Sequence, residues 1–233
     1  MTISPTTGPK TSGPKTSGPK TSGPKIIAID GPAASGKGTL ARKLAQYFDY
    51  AYLDTGALYR AVGLQVARAG GDVQNEQDAV KAAENISQFD LNDPELRRES
   101  TGALASKVAA ISAVRDILLT FQRNFARNPP GHKAGAILDG RDIGTVICPD
   151  APVKLFITAS AETRAKRRFL EQFGPDGHEA DYTAILAEIT LRDARDTNRL
   201  VAPLKPAQNA HLLDTTNSDI EAVFEKALRL ILP

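Results

Sequence analysis

Nothing constrains this chain more than the nine residues Gly31, Pro32, Ala33, Ala34, Ser35, Gly36, Lys37, Gly38 and Thr39. They follow the all-apolar run Ile26-Ile27-Ala28-Ile29 and precede Leu40, Leu44 and Phe48, which recur at helical spacing. A glycine, four residues, then Gly-Lys between a strand and a helix is the spacing of a phosphate-binding loop. Glycines let the backbone curl until successive N–H groups point at one phosphate, and the new helix adds its positive end. Lys37 then reaches the β- and γ-phosphates of a nucleoside triphosphate. The apolar strand in front has no polar face, so it belongs inside a parallel sheet covered on both sides. A glycine-rich turn matching by chance is the alternative, and the flanking strand and helix speak against it.

The rest of the chain repeats that alternation. Ala51 to Leu53, Ala136 to Leu138, Val153 to Ile157 and His211 to Leu213 are short apolar runs that read as strands. Between them lie helical patterns, the clearest through Leu104, Val108, Ile111, Val114, Leu118, Phe121 and Phe125. One helix is expected there, ending before Pro129-Pro130. Strands alternating with helices imply a three-layer α/β domain with ligands beyond the carboxyl ends of its strands. The 233 residues allow one large core and a small lid besides. Residues 1 to 25 stand apart: Thr6 to Lys10 is followed by three copies of Thr-Ser-Gly-Pro-Lys. That composition cannot build a packed core, so a disordered tail is expected there, with the folded domain spanning 26 to 233.

Composition removes several classes of function. The net charge of +2 comes from the tail's four lysines; the body holds 25 basic and 27 acidic residues, a net of −2. So balanced a body gives no broad nucleic-acid-binding surface, although an anionic partner for the tail lysines stays open. No run approaches the roughly 18 apolar residues that span a bilayer, and the N-terminus has no apolar signal-peptide core. The single Cys148 excludes an internal disulfide and suits a reducing cytoplasm. His132, His178 and His211 lack metal-ligand spacing. A cytoplasmic, non-membrane protein is expected, with monomer as the default.

Where an acceptor would sit is marked by arginines. In Asp54-Thr55-Gly56-Ala57-Leu58-Tyr59-Arg60, Asp54 or Thr55 can cap a helix, but capping does not explain Arg60 one turn in, where a guanidinium can fork onto phosphate. Asp139-Gly140-Arg141-Asp142 follows another strand, so Arg141 and Asp142 project at the ligand edge; a structural Arg–Asp pair is the alternative. Farther on, Arg192, Arg195, Asp196 and Arg199 share one helical face, which Ile185 and Ile189 turn inward. Three arginines facing inward need an anion, and one aspartate cannot balance them. Arg164, Arg167 and Arg168 form a second cluster, open between ATP contact and surface charge. Phe173-Gly174-Pro175-Asp176-Gly177 after it suits a mobile lid at about 173 to 183.

Together these pieces resemble the bacterial cytidylate kinases from about Ile26 onward. The resemblance rests on the Gly-Lys-Gly-Thr loop, Asp54 to Arg60, Ser106 to Arg115, Asp139 to Thr145, and Arg192 to Leu204. It implies a P-loop kinase fold with a five-stranded parallel sheet, an acceptor-binding region at about 55 to 130, and a short lid. The implied reaction moves a phosphoryl group from ATP to CMP or dCMP, as in pyrimidine nucleotide recycling. Lys37, Arg141, Arg192 and Arg195 are the implied catalytic residues, and Arg168 joins the loop residues in binding ATP. Thr55, Ser106, Arg115 and Asp142 match positions around the cytosine. Arg60, Arg141, Arg192 and Arg199 match groups gripping phosphate, and Asp196 one contacting the acceptor, through its sugar. Gly38 stands where most phosphate loops place a magnesium-ligating hydroxyl. The resemblance therefore implies Mg²⁺ held mainly by nucleotide phosphates and water, with no direct protein ligand. Many relatives carry a strand-rich insert ahead of Ser106; here only about Asp90 to Thr101 fills that space. Rival readings are a kinase of UMP, AMP or shikimate on the same fold, or a nucleotide switch. The chain has no Asn-Lys-x-Asp or Asp-x-x-Gly motif to support a switch.

Overall fold

The apolar runs form strands β1 (Ile26–Asp30), β2 (Ala51–Asp54), β3 (Ala136–Gly140), β4 (Val153–Thr158) and β5 (His211–Asp214). In the computed structural model, which describes residues 26–232, they pair in parallel in the order β2-β3-β1-β4-β5. The expected repeat tail lies outside the described residues. Every strand continues beyond its apolar run, into Asp30, Asp54, Asp139-Gly140, Thr158 and Asp214. Those polar residues mark where each strand leaves the sandwich at the sheet's carboxyl edge.

The described residues form eight α-helices around or beside the sheet: α1 (Lys37–Phe48), α2 (Thr55–Arg68), α3 (Glu76–Glu84), α4 (Glu99–Val108), α5 (Ser112–Arg127), α6 (Ala161–Phe173), α7 (Glu179–Asn198) and α8 (Ile220–Ile231). Alternation along β1 divides the core. Ile27 and Ile29 meet Leu40 and Leu44 of α1 and Val223 and Ala227 of α8. Ala28 faces the other way, toward Leu58 and Val62 of α2 and Val114 and Leu118 of α5. α6 and α7 pack on each other through a small cluster of Ala165, Ile185 and Ile189. The three layers and parallel sheet expected from the sequence are all present.

The single helix expected through Leu104 to Phe125 is two. α4 ends at Val108, the chain turns through Ala109 and Ala110, and Ile111 is extended (φ −83°, ψ 117°) before α5 begins. Val108, Val114 and Leu118 nevertheless face one core, so the spacing of three and four runs unbroken across the turn. α5 does stop before Pro129-Pro130. Ahead of α4 lie two 3₁₀ turns, Ile86–Gln88 and Pro94–Arg97, and among the described residues no strand lies between Asp54 and Ala136. The stretch read as a lid holds a 3₁₀ turn, Gly174–Asp176, and the start of α7.

Candidate active site

The phosphate loop is built by backbone conformations few residues adopt. Gly31 has φ +155°, and a Cβ there would lie 2.0 Å from the Ile157 carbonyl oxygen. Ala34 (φ 58°) and Gly36 (φ 86°) are left-handed, and α1 starts immediately afterwards at Lys37. The Lys37 ammonium rests 3.4 Å from the Pro32 carbonyl and 3.8 Å from the Asp139 carboxylate. Burial pushes its pKa down to about 8, assisted by Arg141 and Arg192 and opposed by Asp139 and Asp54. Gly38 explains itself: a Cβ there would stand 3.0 Å from Asp139 Oδ2, so the hydroxyl residue usual at this place would crowd the carboxylate.

Beyond the loop opens a cleft of about 960 Å³. Its lining joins Lys37 to Thr55, Arg60, Ser106, Arg115, Arg141, Asp142, Arg192, Arg195, Asp196 and Arg199. Residues spread over 160 positions of sequence thus meet in one space because the carboxyl ends of β1, β2 and β3 adjoin. Asp54 caps α2, accepting from the Ala57 N–H at 3.2 Å, and its other oxygen holds Arg60 at 2.6 Å. Thr55 does not cap; its buried hydroxyl donates to the Asp139 carbonyl (2.9 Å) and braces β3 against α2. Ser106 donates to the Gly102 carbonyl within α4 (3.2 Å).

Carboxylates engage some of these arginines and not others. Arg115 pairs with Asp142 (2.8 Å), and Arg141 with Asp196 (3.0 Å). Among the described residues, Arg192, Arg195 and Arg199 form no ion pair. Asp196, the one acid expected to offset them, is taken by Arg141. Burial lowers the Arg192 pKa to about 10, and neighbouring Arg141 adds to the shift. Nε and Nη2 of Arg199 are buried without a partner. The shared helical face needs one amendment: α7 ends at Asn198, and Arg199 follows in extended conformation (φ −62°, ψ 141°). It reaches the cleft from the chain turning back, not from the helix. A cluster of cations without ion-pair partners beside a phosphate loop can hold a polyphosphate.

Comparison with known proteins agrees with this geometry. The family model described as cytidylate kinase matches residues 27–232. The chain belongs to the cytidylate kinase family. A cytidylate kinase of Paramagnetospirillum magneticum is 56% identical over 206 residues, covering 88% of this chain and 97% of the relative. One from Afipia carboxidovorans is 52% identical over 206 residues, covering 88% and 96%. Among solved structures, an uncharacterized protein from Eubacterium ventriosum shares the fold at TM-score 0.52 and 15% identity, covering 88% of this chain and 97% of its own.

Arg168, expected beside ATP, stands 3.8 Å from Glu188 of α7 and is a like-charged neighbour of Arg192. Arg164 and Arg167 are neither surface charge nor cleft residues; both bond to backbone near the phosphate loop. Sequence reasoning missed two acids. Asp139, buried at the end of β3, accepts from the Tyr52 hydroxyl (3.3 Å), and burial raises its pKa against the pull of Lys37. Asp30 accepts from the Ile143 and Gly144 N–H groups, each at 2.8 Å, and burial lifts its pKa to about 7. The only signal for either was an acid directly after an apolar strand run. Among the described residues, no helix is long and apolar enough to cross a membrane.

Proposed function

We propose that this protein transfers the γ-phosphate of ATP to CMP or dCMP, giving ADP and CDP or dCDP. What carries the reading is the continuous cleft from the phosphate loop to the unpaired arginines of α7, with the Arg115–Asp142 pair at its far end. The acceptor is already an anion, so an oxygen of its phosphate attacks the γ-phosphorus without a general base. The bond to the β–γ bridging oxygen breaks, and its electron pair leaves on ADP. Lys37, Arg141, Arg192 and Arg195 offset charge on the transferring group. Arg60 and Arg199 grip the acceptor phosphate, and Asp196 yields Arg141 to it and turns to the sugar. Thr55, Ser106, Arg115 and Asp142 read the cytosine, whose amino group a carboxylate can accept from and an arginine cannot.

The donor end fits a hydrated Mg²⁺. Asp139 presents a buried oxygen, Oδ1, without a hydrogen-bond partner beside Lys37, and so is suited to hold the ion's water shell rather than the ion. With its water shell held by Asp139, Mg²⁺ would supply charge neutralisation on the departing diphosphate. A coupled ADP-release assay with ATP, Mg²⁺ and each of CMP, dCMP, UMP, AMP and GMP tests the reading. Fast turnover with CMP and dCMP alone supports it and ranks the two. Preference for UMP or AMP would keep the kinase and reassign the base-reading residues.

A further inference from the structure

Arg164 and Asp193 lie outside the lining of the cleft, yet they tie its two walls together. The Arg164 side chain is 5% exposed and makes contacts in three directions. Nε donates to the Ala159 carbonyl just past β4 (2.9 Å), and Nη1 to the Ala33 carbonyl in the phosphate loop (3.4 Å). The two terminal nitrogens fork onto the Asp193 carboxylate at 3.0 and 2.5 Å. Three residues farther along α6, Arg167 steadies the same loop from another side. It donates to the hydroxyl (3.0 Å) and carbonyl (2.6 Å) of Thr215, whose hydroxyl lies 3.0 Å from the Ser35 carbonyl.

Asp193 immediately follows Arg192 on α7. Of the described apolar residues of that helix, Ile185 and Ile189 are buried, while Leu191 is 63% exposed. Apolar packing thus anchors α7 only up to Ile189, and the turn carrying Arg192, Arg195 and Asp196 hangs beyond it. The Arg141–Asp196 pair also holds that turn, but it belongs to the cleft and must open for the acceptor. The Leu204 N–H also donates to the Asp196 carbonyl (2.8 Å), which ties the turn to the chain that follows it; what ties it to the phosphate loop independently of substrate is the fork from Arg164. We infer that Arg164, gripped by Asp193, is a positioning residue that sets α7 against the phosphate loop, so that Arg192 meets the transferring phosphoryl group. The inference rests on the phosphoryl transfer proposed above. Lysine cannot take the place of Arg164, because one ammonium cannot reach both carboxylate oxygens and two carbonyls on different elements.

The test is steady-state kinetics with ATP and CMP on the full chain as wild type, Arg164→Lys, Asp193→Asn and the double variant, alongside thermal melts. Misplacement of a transition-state group slows chemistry more than it weakens binding, so each single variant should lose at least ~10-fold in kcat with both KM values within ~3-fold. Because the pair acts as one unit, the double variant should fall no lower than the worse single variant. A role confined to stability would lower Tm and leave kcat within ~10-fold of wild type, and that result overturns the assignment. Losses that multiply in the double variant overturn it as well. The Asp193 side chain is 27% exposed, so Asp193→Asn should fold even where Arg164→Lys does not, and its kcat then decides. The wild-type rate separates the two readings. A wild type that does not turn over CMP removes the proposed reaction, and this role with it; an active one with unaffected variants removes this role alone.

Discussion

At the scale of single residues, the proposed transfer assigns the chemistry to two cations that can be separated by what each removal costs. Arg192 is largely buried among like charges and makes no ion pair among the described residues, so the folded state gains nothing evident from its charge. Arg192→Ala should lower turnover at least ~100-fold, about 2.7 kcal/mol of transition-state stabilisation. Its Tm should stay the same or rise, because truncation relieves repulsion with Arg141. Near-normal turnover by the ADP-release assay would take Arg192 out of the transition state. Lys37 predicts a pH dependence. Its pKa is about 8 in the empty protein against an ordinary 10.5, so between these values the empty site holds a neutral amine. Nucleotide phosphates favour the ammonium, so binding takes up a proton in that window, and affinity for ADP falls as pH rises through 8. The same shift makes Lys37 alone raise stability as pH climbs from about 8 to 10.5, since the unfolded chain then binds the extra proton. Calorimetry in buffers of different ionisation enthalpy reads the proton uptake directly; pH-independent affinity from 7 to 9.5 would show that Lys37 stays charged throughout.

Among elements, the wide helical turn Ile143–Ile147 after β3 follows directly on Arg141 and Asp142, and a side chain holds it at each end. Asp30 satisfies the Ile143 and Gly144 N–H groups at the start of that turn, while Arg123 donates to the Val146 and Ile147 carbonyls at its end (2.9 and 3.1 Å). Asp30→Ala strands two buried N–H groups, so a loss of at least ~2 kcal/mol in urea unfolding is expected. An unchanged midpoint would mean the turn is held by its own backbone. Neither Asp30 nor the turn was legible in the sequence, because an acid ending an apolar run announces no partner more than a hundred residues away. What was legible followed from burial. Ile26 to Ile29 and the other apolar runs marked all five strands, since strands covered on both faces must be apolar, although at the sheet's edge β5 buries only Leu213. The arginine spacing on α7 placed Arg192, Arg195 and Asp196 together at the cleft. Periodicity failed at Ala109-Ala110, where a tight turn keeps Val108 and Val114 facing one core, and at Arg199, whose spacing continues past the end of the helix. It left Arg164 open between ATP contact and surface charge, because an arginine on a charged helix reads alike whether it is solvated or buried in a fork.

Taken as a whole molecule, stability is unevenly distributed, and the uneven part bears the arginines. Two large clusters flank the sheet, whereas among the described residues α6 and α7 share only Ala165, Ile185 and Ile189 as buried apolar groups, with Phe169 and Tyr182 half-buried at the edge. Local opening costs least where few apolar groups are buried, so this helix pair should open before the sheet does. Charge points the same way: Arg192 of α7 is largely buried with Arg141, Arg168 and Arg60 as like-charged neighbours, and bound phosphates turn that repulsion into attraction. Backbone amides of α7 should therefore exchange with solvent at least ~10-fold faster than those of β1 and β3, and slow selectively when Mg²⁺, ADP and CMP are added together. ADP alone should protect the phosphate loop and α1 but only partly α7, because the acceptor phosphate completes the set of anions. Hydrogen exchange read by mass spectrometry distinguishes this from a rigid site. Protection gained uniformly over the sheet and all eight helices would mean that ligands merely shift global unfolding, and that α6 and α7 move with the rest of the domain.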